Sequence, residues 1–279
     1  MIEGQFSRTA LSAAAYRAAH QLAEGGAVFS DPLAALVMGR DLAAQLEHAA
    51  DPAMRPLRLF VALRSRIAED VALRAVAEGA RQVVTLGAGL DTFACRVPPV
   101  PGLVAYEIDH PATQGEKRRR LAEAGIAAPA LRFAPCDFER EPLAEALAAA
   151  GFDADARAAF LWLGVTPYLT REAVESTLRF VAGLRGGADV VFDYSNPPHS
   201  VDSPGHRLFH ERMAARVAAQ GEAFRSYFET ADMRALLLSL GAGRVEDIGP
   251  REIAQRFAPD RPTPPENGGR IVHAFFPAR

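Results

Sequence analysis

The stretch Arg81-Gln82-Val83-Val84-Thr85-Leu86-Gly87-Ala88-Gly89-Leu90-Asp91-Thr92 constrains this chain more than any other. A short, nearly continuous apolar run that ends in two glycines predicts a strand buried on both faces, feeding a tight turn into a helix. Gly87 can adopt the backbone angles of a sharp turn, and Gly89, without a Cβ, lets the main chain approach a ligand closely. Ala88 between them offers its amide. A dinucleotide fingerprint would have a third glycine where Thr92 stands, and no Gly-Lys-Ser/Thr follows to make a Walker loop. The turn therefore suits a nucleoside and makes no clear provision for a pyrophosphate.

The next apolar run, Leu103-Val104-Ala105-Tyr106-Glu107-Ile108-Asp109, predicts a second strand, and it ends in an acid. That acid falls roughly twenty residues past the glycines, where a carboxylate can accept from ribose hydroxyls. A third strand over Leu131-Arg132-Phe133-Ala134-Pro135-Cys136 delivers Asp137 at its carboxyl end. Ligands bind at this edge of open α/β sheets. Asp137 can accept from an adenine amino group while the Phe138 amide donates to a ring nitrogen; capping of a helix is the other use open to Asp137.

The ordered motifs Leu-Gly-Ala-Gly-Leu-Asp-Thr, Tyr-Glu-Ile-Asp-His-Pro with Lys117, Cys136-Asp137-Phe138 and Leu163-Gly164-Val165-Thr166-Pro167-Tyr168-Leu169-Thr170 resemble those of the leucine carboxyl methyltransferase family. The bacterial small-molecule O-methyltransferase branch is the most similar. The resemblance covers nearly the whole chain. It implies a Rossmann-like class I fold, S-adenosyl-L-methionine as methyl donor, and an arginine in the helix before the first strand that holds the donor's carboxylate. Arg66 aligns best with that arginine, with Arg64 and Arg17 as alternatives. A guanidinium suits the role because it meets a carboxylate through two parallel hydrogen bonds. Many relatives carry a glutamate where this chain has Leu163 beside the donor, so a mechanism that needs a base there does not transfer.

Charge and cysteine usage exclude other classes. With 31 basic and 34 acidic residues, a net charge of −3 offers no basic surplus for nucleic acid. Lys117-Arg118-Arg119-Arg120 reads as a solvated helix face, since Glu116 and Glu123 flank it. Two cysteines, Cys95 and Cys136, form neither a disulfide scaffold nor a zinc pattern, and no apolar block is long enough for a signal peptide or a membrane span. A cytoplasmic location is the expectation.

Along the chain, helix is predicted from Ser7, from Asp31-Pro32 through Met38, and from Pro56 to Gly79 with apolar residues at helical spacing. Residues 1–79 thus form an N-terminal helical cap, and 80–279 form the donor-binding domain. A fourth strand ends near Gly164, and a helix capped by Thr170 follows. A fifth strand over residues 188–194 ends in Asp193 and Tyr194. Residues 196–205 break the pattern, and a helix is read over 208–227. The insertion 196–229 is the expected lid, with Phe209, Met213 and Phe224 apolar and His206, Arg207 and His210 polar. His206 and His210 lie one turn apart, but Arg207 occupies the place of a zincin glutamate and no third ligand is evident, so no metal is expected. Helix 230–240 and strands 245–248 and 270–276 complete the chain. Residues 258–269, with Pro259, Pro262, Pro264 and Pro265, read as an irregular loop.

The expected protein is an α/β methyltransferase with a seven-stranded, mostly parallel sheet, acting on a carboxyl or hydroxyl oxygen of a small organic molecule such as a secondary metabolite. A carboxylate with pKa near ~4 needs no base, whereas a phenol near ~10 benefits from one. Tyr194, Asp193, His206, His210 and His199 are the base candidates, and Tyr168 is available as a polar wall. Two alternatives share the first turn: an NAD-dependent oxidoreductase, and a donor-binding protein without turnover.

Overall fold

The computed structural model describes residues 6–97, 99–138, 140–219, 221–257 and 264–279. Helices α1 (Arg8–Ala23), α2 (Ala34–Met38), α3 (Leu42–Ala50) and α4 (Arg55–Ala77) precede strand β1 (Gln82–Leu86). Then come α5 (Phe93–Arg96), β2 (Val104–Asp109), α6 (Pro111–Glu123), β3 (Leu131–Pro135), α7 (Leu143–Ala149), β4 (Ala158–Trp162), α8 (Arg171–Ala182) and β5 (Ala188–Ser195). The chain finishes with α9 (Pro204–Ala219), α10 (Thr230–Ser239), β6 (Arg244–Ile248), α11 (Pro250–Phe257) and β7 (Gly269–Phe276).

Local chemistry sets several of these boundaries. The Ser7 hydroxyl accepts from the Ala10 amide at the start of α1, and Thr170 does the same for Ala173 at the start of α8. Pro111 opens α6, where a missing N–H costs nothing.

The seven strands lie in the order β3-β2-β1-β4-β5-β7-β6, and β7 alone runs antiparallel to both of its neighbours. The order reverses direction between β1 and β4, which opens a crevice at the carboxyl ends of the strands. Every residue of β1 and of β4 is buried, as a strand covered on both faces requires. One face packs Phe160, Trp162 and Phe192 against α8 and α10; the other packs Val83, Leu161 and Val191 against Ala68, Val71, Ala72 and Ala75 of α4. Helix α4 is thus a layer of the sheet domain, and the expected boundary at residue 79 runs through a shared core. A separate cluster, with Ala14, Ala18, Val37 and Met38, joins α1 to α3. Among the described residues no helix is long and apolar enough to cross a membrane.

Three readings need correction. The lid helix spans Pro204–Ala219 rather than 208–227, and Phe224 and Phe228 lie beyond it in a segment that returns to β5, where the Phe228 amide donates to the Ser195 carbonyl. Proline at the first helical position moves the start forward, and Gly221, at φ +82°, stands just past the end. Helix α11, Pro250–Phe257, is an element the sequence pattern does not indicate; it is a short surface helix with no buried residue. The basic run is not a solvated face throughout. Lys117 is 1% exposed with its Nζ 2.5 Å from the equally buried Glu107 carboxylate, and Arg120 donates to the Met38 carbonyl at 2.7 Å while pairing with Asp41 and Glu116. Residues three apart share a helix face, so 117 and 120 turn inward together. Pro259 and Pro262 of the proline-rich loop lie outside the described residues.

Candidate active site

Helix α4, the glycine turn, the carboxyl ends of β2 to β5, and α9 enclose a cavity of about 1170 Å³. The glycine turn forms one wall. Gly87 and Gly89 have φ of +62° and +49°, a region that penalises any side chain. Both also lack room: a Cβ on Gly87 would collide with the Val165 side chain, and one on Gly89 would stand 2.8 Å from the Ala10 Cβ. Asp109 faces the same space. Its Oδ2 accepts from the Gly89 amide at 2.6 Å and its Oδ1 from the His110 amide at 2.7 Å. Burial raises the Asp109 pKa, against the pull of these two amides and of the Lys117 and His110 charges. Asp137, Phe138 and Ala88 line this end as well. The Asp137 amide donates to Glu141 at 2.7 Å, and its carboxylate lies 3.7 Å from the Arg140 guanidinium.

The middle of the cavity is held by an arginine, but not the expected one. Arg66 points outward, half exposed and paired with Asp70 at 2.7 Å, and it does not line the cavity. Two residues along a helix turn the side chain by about 200°, so Arg64 and Arg66 cannot both face inward. Arg64 is the one that does, and its Nη1 donates to Asp193 Oδ2 at 2.8 Å. Asp193 Oδ1 accepts from the Gly164 amide at 2.6 Å. Gly164, at φ +71°, is required here because a Cβ would stand 2.6 Å from Arg64 Nη2. Arg17 reaches the wall too, but its guanidinium is used by Asp31 at 2.9 Å and by the Leu90 carbonyl at 2.7 Å. Leu163 lines the cavity beside Gly164 and presents only carbon.

The base candidates separate. Asp193 lies in the cavity wall with both oxygens engaged, so it anchors Arg64 and the Gly164 turn. Tyr194 does not reach the site, because successive side chains on a strand point to opposite faces. Its ring is 2% exposed in the core against α10, and its hydroxyl donates to Asp247 at 2.7 Å, so it cannot serve as the base. Burial and the Asp247 charge both push its pKa upward. His199 sits on the surface 3.4 Å from Glu229, outside the cavity lining. His206 and His210 of α9 both line the cavity. Burial, followed by the His206 charge, lowers the His210 pKa and favours the neutral ring. Tyr168 lines it too, edge-on to Phe224 at 5.2 Å between ring centres.

Sequence reasoning missed one contact that shapes the site. Glu222, just past the lid helix, accepts from the Arg8 amide at 2.9 Å, from the Thr9 amide at 3.2 Å and from the Thr9 hydroxyl. A carboxylate is favoured at a helix N-terminus, where unpaired amides and the dipole converge. Nothing local in the sequence connects residue 222 to residue 8. Among the described residues no three His, Cys, Asp or Glu side chains converge as metal ligands do.

Comparison with known proteins identifies the family. The leucine carboxyl methyltransferase model matches residues 10–182. YktD of Bacillus subtilis, assigned by name as an S-adenosyl-L-methionine-dependent methyltransferase, is 34% identical over 202 residues, 71% of this chain and 66% of its own. A Mycolicibacterium gilvum protein with the same assignment is 33% identical over 222 residues, 75% of this chain and 68% of its own. The chain therefore spans about two thirds of the length of these relatives. A solved structure from Bordetella parapertussis, described as a possible exported protein, superposes with a TM-score of 0.51 at 18% identity, covering 97% of this chain and 96% of that one, which shows a shared fold. With its Rossmann-like sheet and its match from α1 through α8, the chain belongs to the leucine carboxyl methyltransferase family of S-adenosylmethionine-dependent methyltransferases.

Proposed function

We propose that this protein moves a methyl group from S-adenosylmethionine to a carboxyl or hydroxyl oxygen of a small organic molecule. The observation that carries the reading is the Asp109 carboxylate at the end of β2, standing over the Gly89 amide on a turn that admits only glycine. That arrangement fits a nucleoside whose ribose hydroxyls donate to Asp109. Asp137 and the Phe138 amide suit the adenine edge, and Arg64, pre-set by Asp193, suits the donor's carboxylate. The bound donor supplies a methyl carried on a sulfonium. An acceptor oxygen lends an electron pair to the new O–CH3 bond while the S–CH3 bond breaks and its pair stays on sulfur.

The protein's own contribution is chiefly placement, which holds the two reactants in line. A carboxylate acceptor arrives ionised and gives up no proton. A hydroxyl acceptor must release one, and His210, held neutral by burial, is placed on the cavity wall to take it, with the His206 imidazole one turn away. Calorimetric titration with S-adenosylmethionine and S-adenosylhomocysteine, followed by transfer of a radiolabelled methyl to a small-molecule extract, tests the assignment. Absence of binding to either nucleoside rejects it, and tighter binding of NAD favours the oxidoreductase.

A further inference from the structure

The cavity extends well past the residues suited to the donor. A site for one drug-sized ligand occupies roughly 300 to 1,000 Å³, and this cavity reaches about 1170 Å³. Its lining runs along the carboxyl edge of the sheet from Asp137 after β3 to Gly269 at the start of β7. Strands are spaced about 4.8 Å apart, so the part beyond β1, across β4 and β5 to β7, spans roughly 14 Å. The polar groups suited to the donor gather on the β1 to β4 side, with Asp193 of β5 holding Arg64 at their border and His206 and His210 of α9 beyond it. Beyond them the lining changes character: α4 contributes Phe60, α9 contributes Phe209 and Met213, and α11 contributes Ile253.

Gly269 lines this second chamber, and the buried Gly268 lies behind it. A Cβ on Gly269 would press to 3.1 Å of the Phe60 ring, and one on Gly268 to 3.3 Å of His210 Nε2. The aromatic ring and the imidazole therefore settle onto bare backbone, which keeps the chamber deep. Its roof buries little apolar surface, since Val217 is the one buried residue of α9, and polar contacts of Arg216 with His48 and of Glu222 with α1 hold it in place. A helix with few buried anchors opens at low cost, as entry of a bulky ligand requires.

We infer that the acceptor is an elongated, predominantly apolar small molecule. Its reacting oxygen lies toward β4, and its hydrocarbon body fills the chamber between α4, α9 and α11. The inference rests on the methyltransferase reading and narrows it to a substrate class. Short polar acceptors would leave the apolar part of the chamber, between Phe60, Phe209, Met213 and Ile253, unfilled. Each methylene that enters it tightens binding by about twofold to fourfold, the scale of burying one CH2.

Protein saturated with S-adenosylhomocysteine is titrated calorimetrically with straight-chain carboxylates from butyrate to dodecanoate. The expected result is an affinity that climbs with chain length, with dodecanoate at least about a hundredfold tighter than butyrate. Met213→Trp and, on a different helix, Ile253→Trp fill the chamber, so each should remove most of that gain while S-adenosylhomocysteine binds as before. Retained nucleoside binding also shows that the variants fold. A flat chain-length series, or undiminished dodecanoate binding in both variants, overturns the inference. Failure of S-adenosylhomocysteine to bind the native protein overturns instead the methyltransferase reading beneath it.

Discussion

Replacing Asp109 with Asn separates binding from folding, because the two respond to different properties of that side chain. The carboxylate accepts from the Gly89 and His110 amides at 2.6 and 2.7 Å, and burial raises its pKa. A carboxyl whose folded pKa lies above its unfolded value costs stability once ionised, so at neutral pH Asp109 opposes folding through its charge and supports it through the two amides. Asn removes both effects in part. It keeps the shape and one acceptor oxygen, sheds the buried charge, and leaves one amide short of a partner at about 1 to 3 kcal/mol. These changes offset each other, so the thermal midpoint should move by only a few degrees. Donor binding has no such offset. Ribose hydroxyls lose a charged acceptor at about 1.5 to 3 kcal/mol, which is roughly a tenfold to hundredfold weaker Kd. Titration calorimetry and thermal denaturation on the same preparation give both numbers. An unchanged Kd for S-adenosylmethionine would refute the role of Asp109, and a collapse of the thermal midpoint would refute the offset.

Arg64→Lys should weaken S-adenosylmethionine while sparing adenosine, since an ammonium cannot reproduce a two-pronged contact, whereas Arg66→Lys should leave both affinities alone; equal loss of adenosine would make Arg64 structural. Gly164→Ala should mimic Arg64→Lys, because its Cβ would displace the guanidinium and its φ of +71° disfavours alanine; donor titration of this variant checks the placement. With a carboxylate acceptor the rate should be flat above about pH 6 and survive His206→Ala and His210→Ala, whereas a hydroxyl acceptor should lose about a hundredfold in one of them. The pKa of Glu116, held at about 2 chiefly by hydrogen bonding to Arg119 and also to Arg120, is depressed from 4.5. Its contribution is therefore present above pH 4.5 and lost as pH falls toward 2. Denaturation across that window should show the slope flatten in Glu116→Gln by about 1 kcal/mol after solvent screening.

Much of this architecture is legible in one dimension because short-range physics dictates it. A doubly buried strand is apolar along most of its length, so β1, β2 and β4 stand out despite Gln82, Thr85 and Glu107, and turns that require a positive φ leave glycines at 87, 89 and 164. Phase is harder. Arg64 and Arg66 look equivalent as text, and only the packing of Ala68, Val71, Ala72 and Ala75 on the sheet fixes which of them faces inward. The same difficulty made Lys117 and Arg120 resemble surface charges, when long side chains paired with Glu107 and Asp41 bury readily. The bounds of α9 are hard to read because it buries almost nothing and leaves little periodic imprint. Asp193 and Tyr194 are adjacent in sequence and belong to opposite faces of the sheet, a distinction that register with neighbouring strands settles and composition does not.

The bond network around Glu222 makes the segment just past α9 and the start of α1 mechanically one part. The same first turn of α1 that this carboxylate grips also presses Ala10 onto Gly89. Displacing the lid should therefore slacken the wall formed by Gly89, which couples the lid to the nucleoside end of the cavity. A chain trimmed past residue 10 should keep its whole sheet and still release nucleoside faster, because Ala10 would no longer back Gly89 and Glu222 would lose the amides it holds.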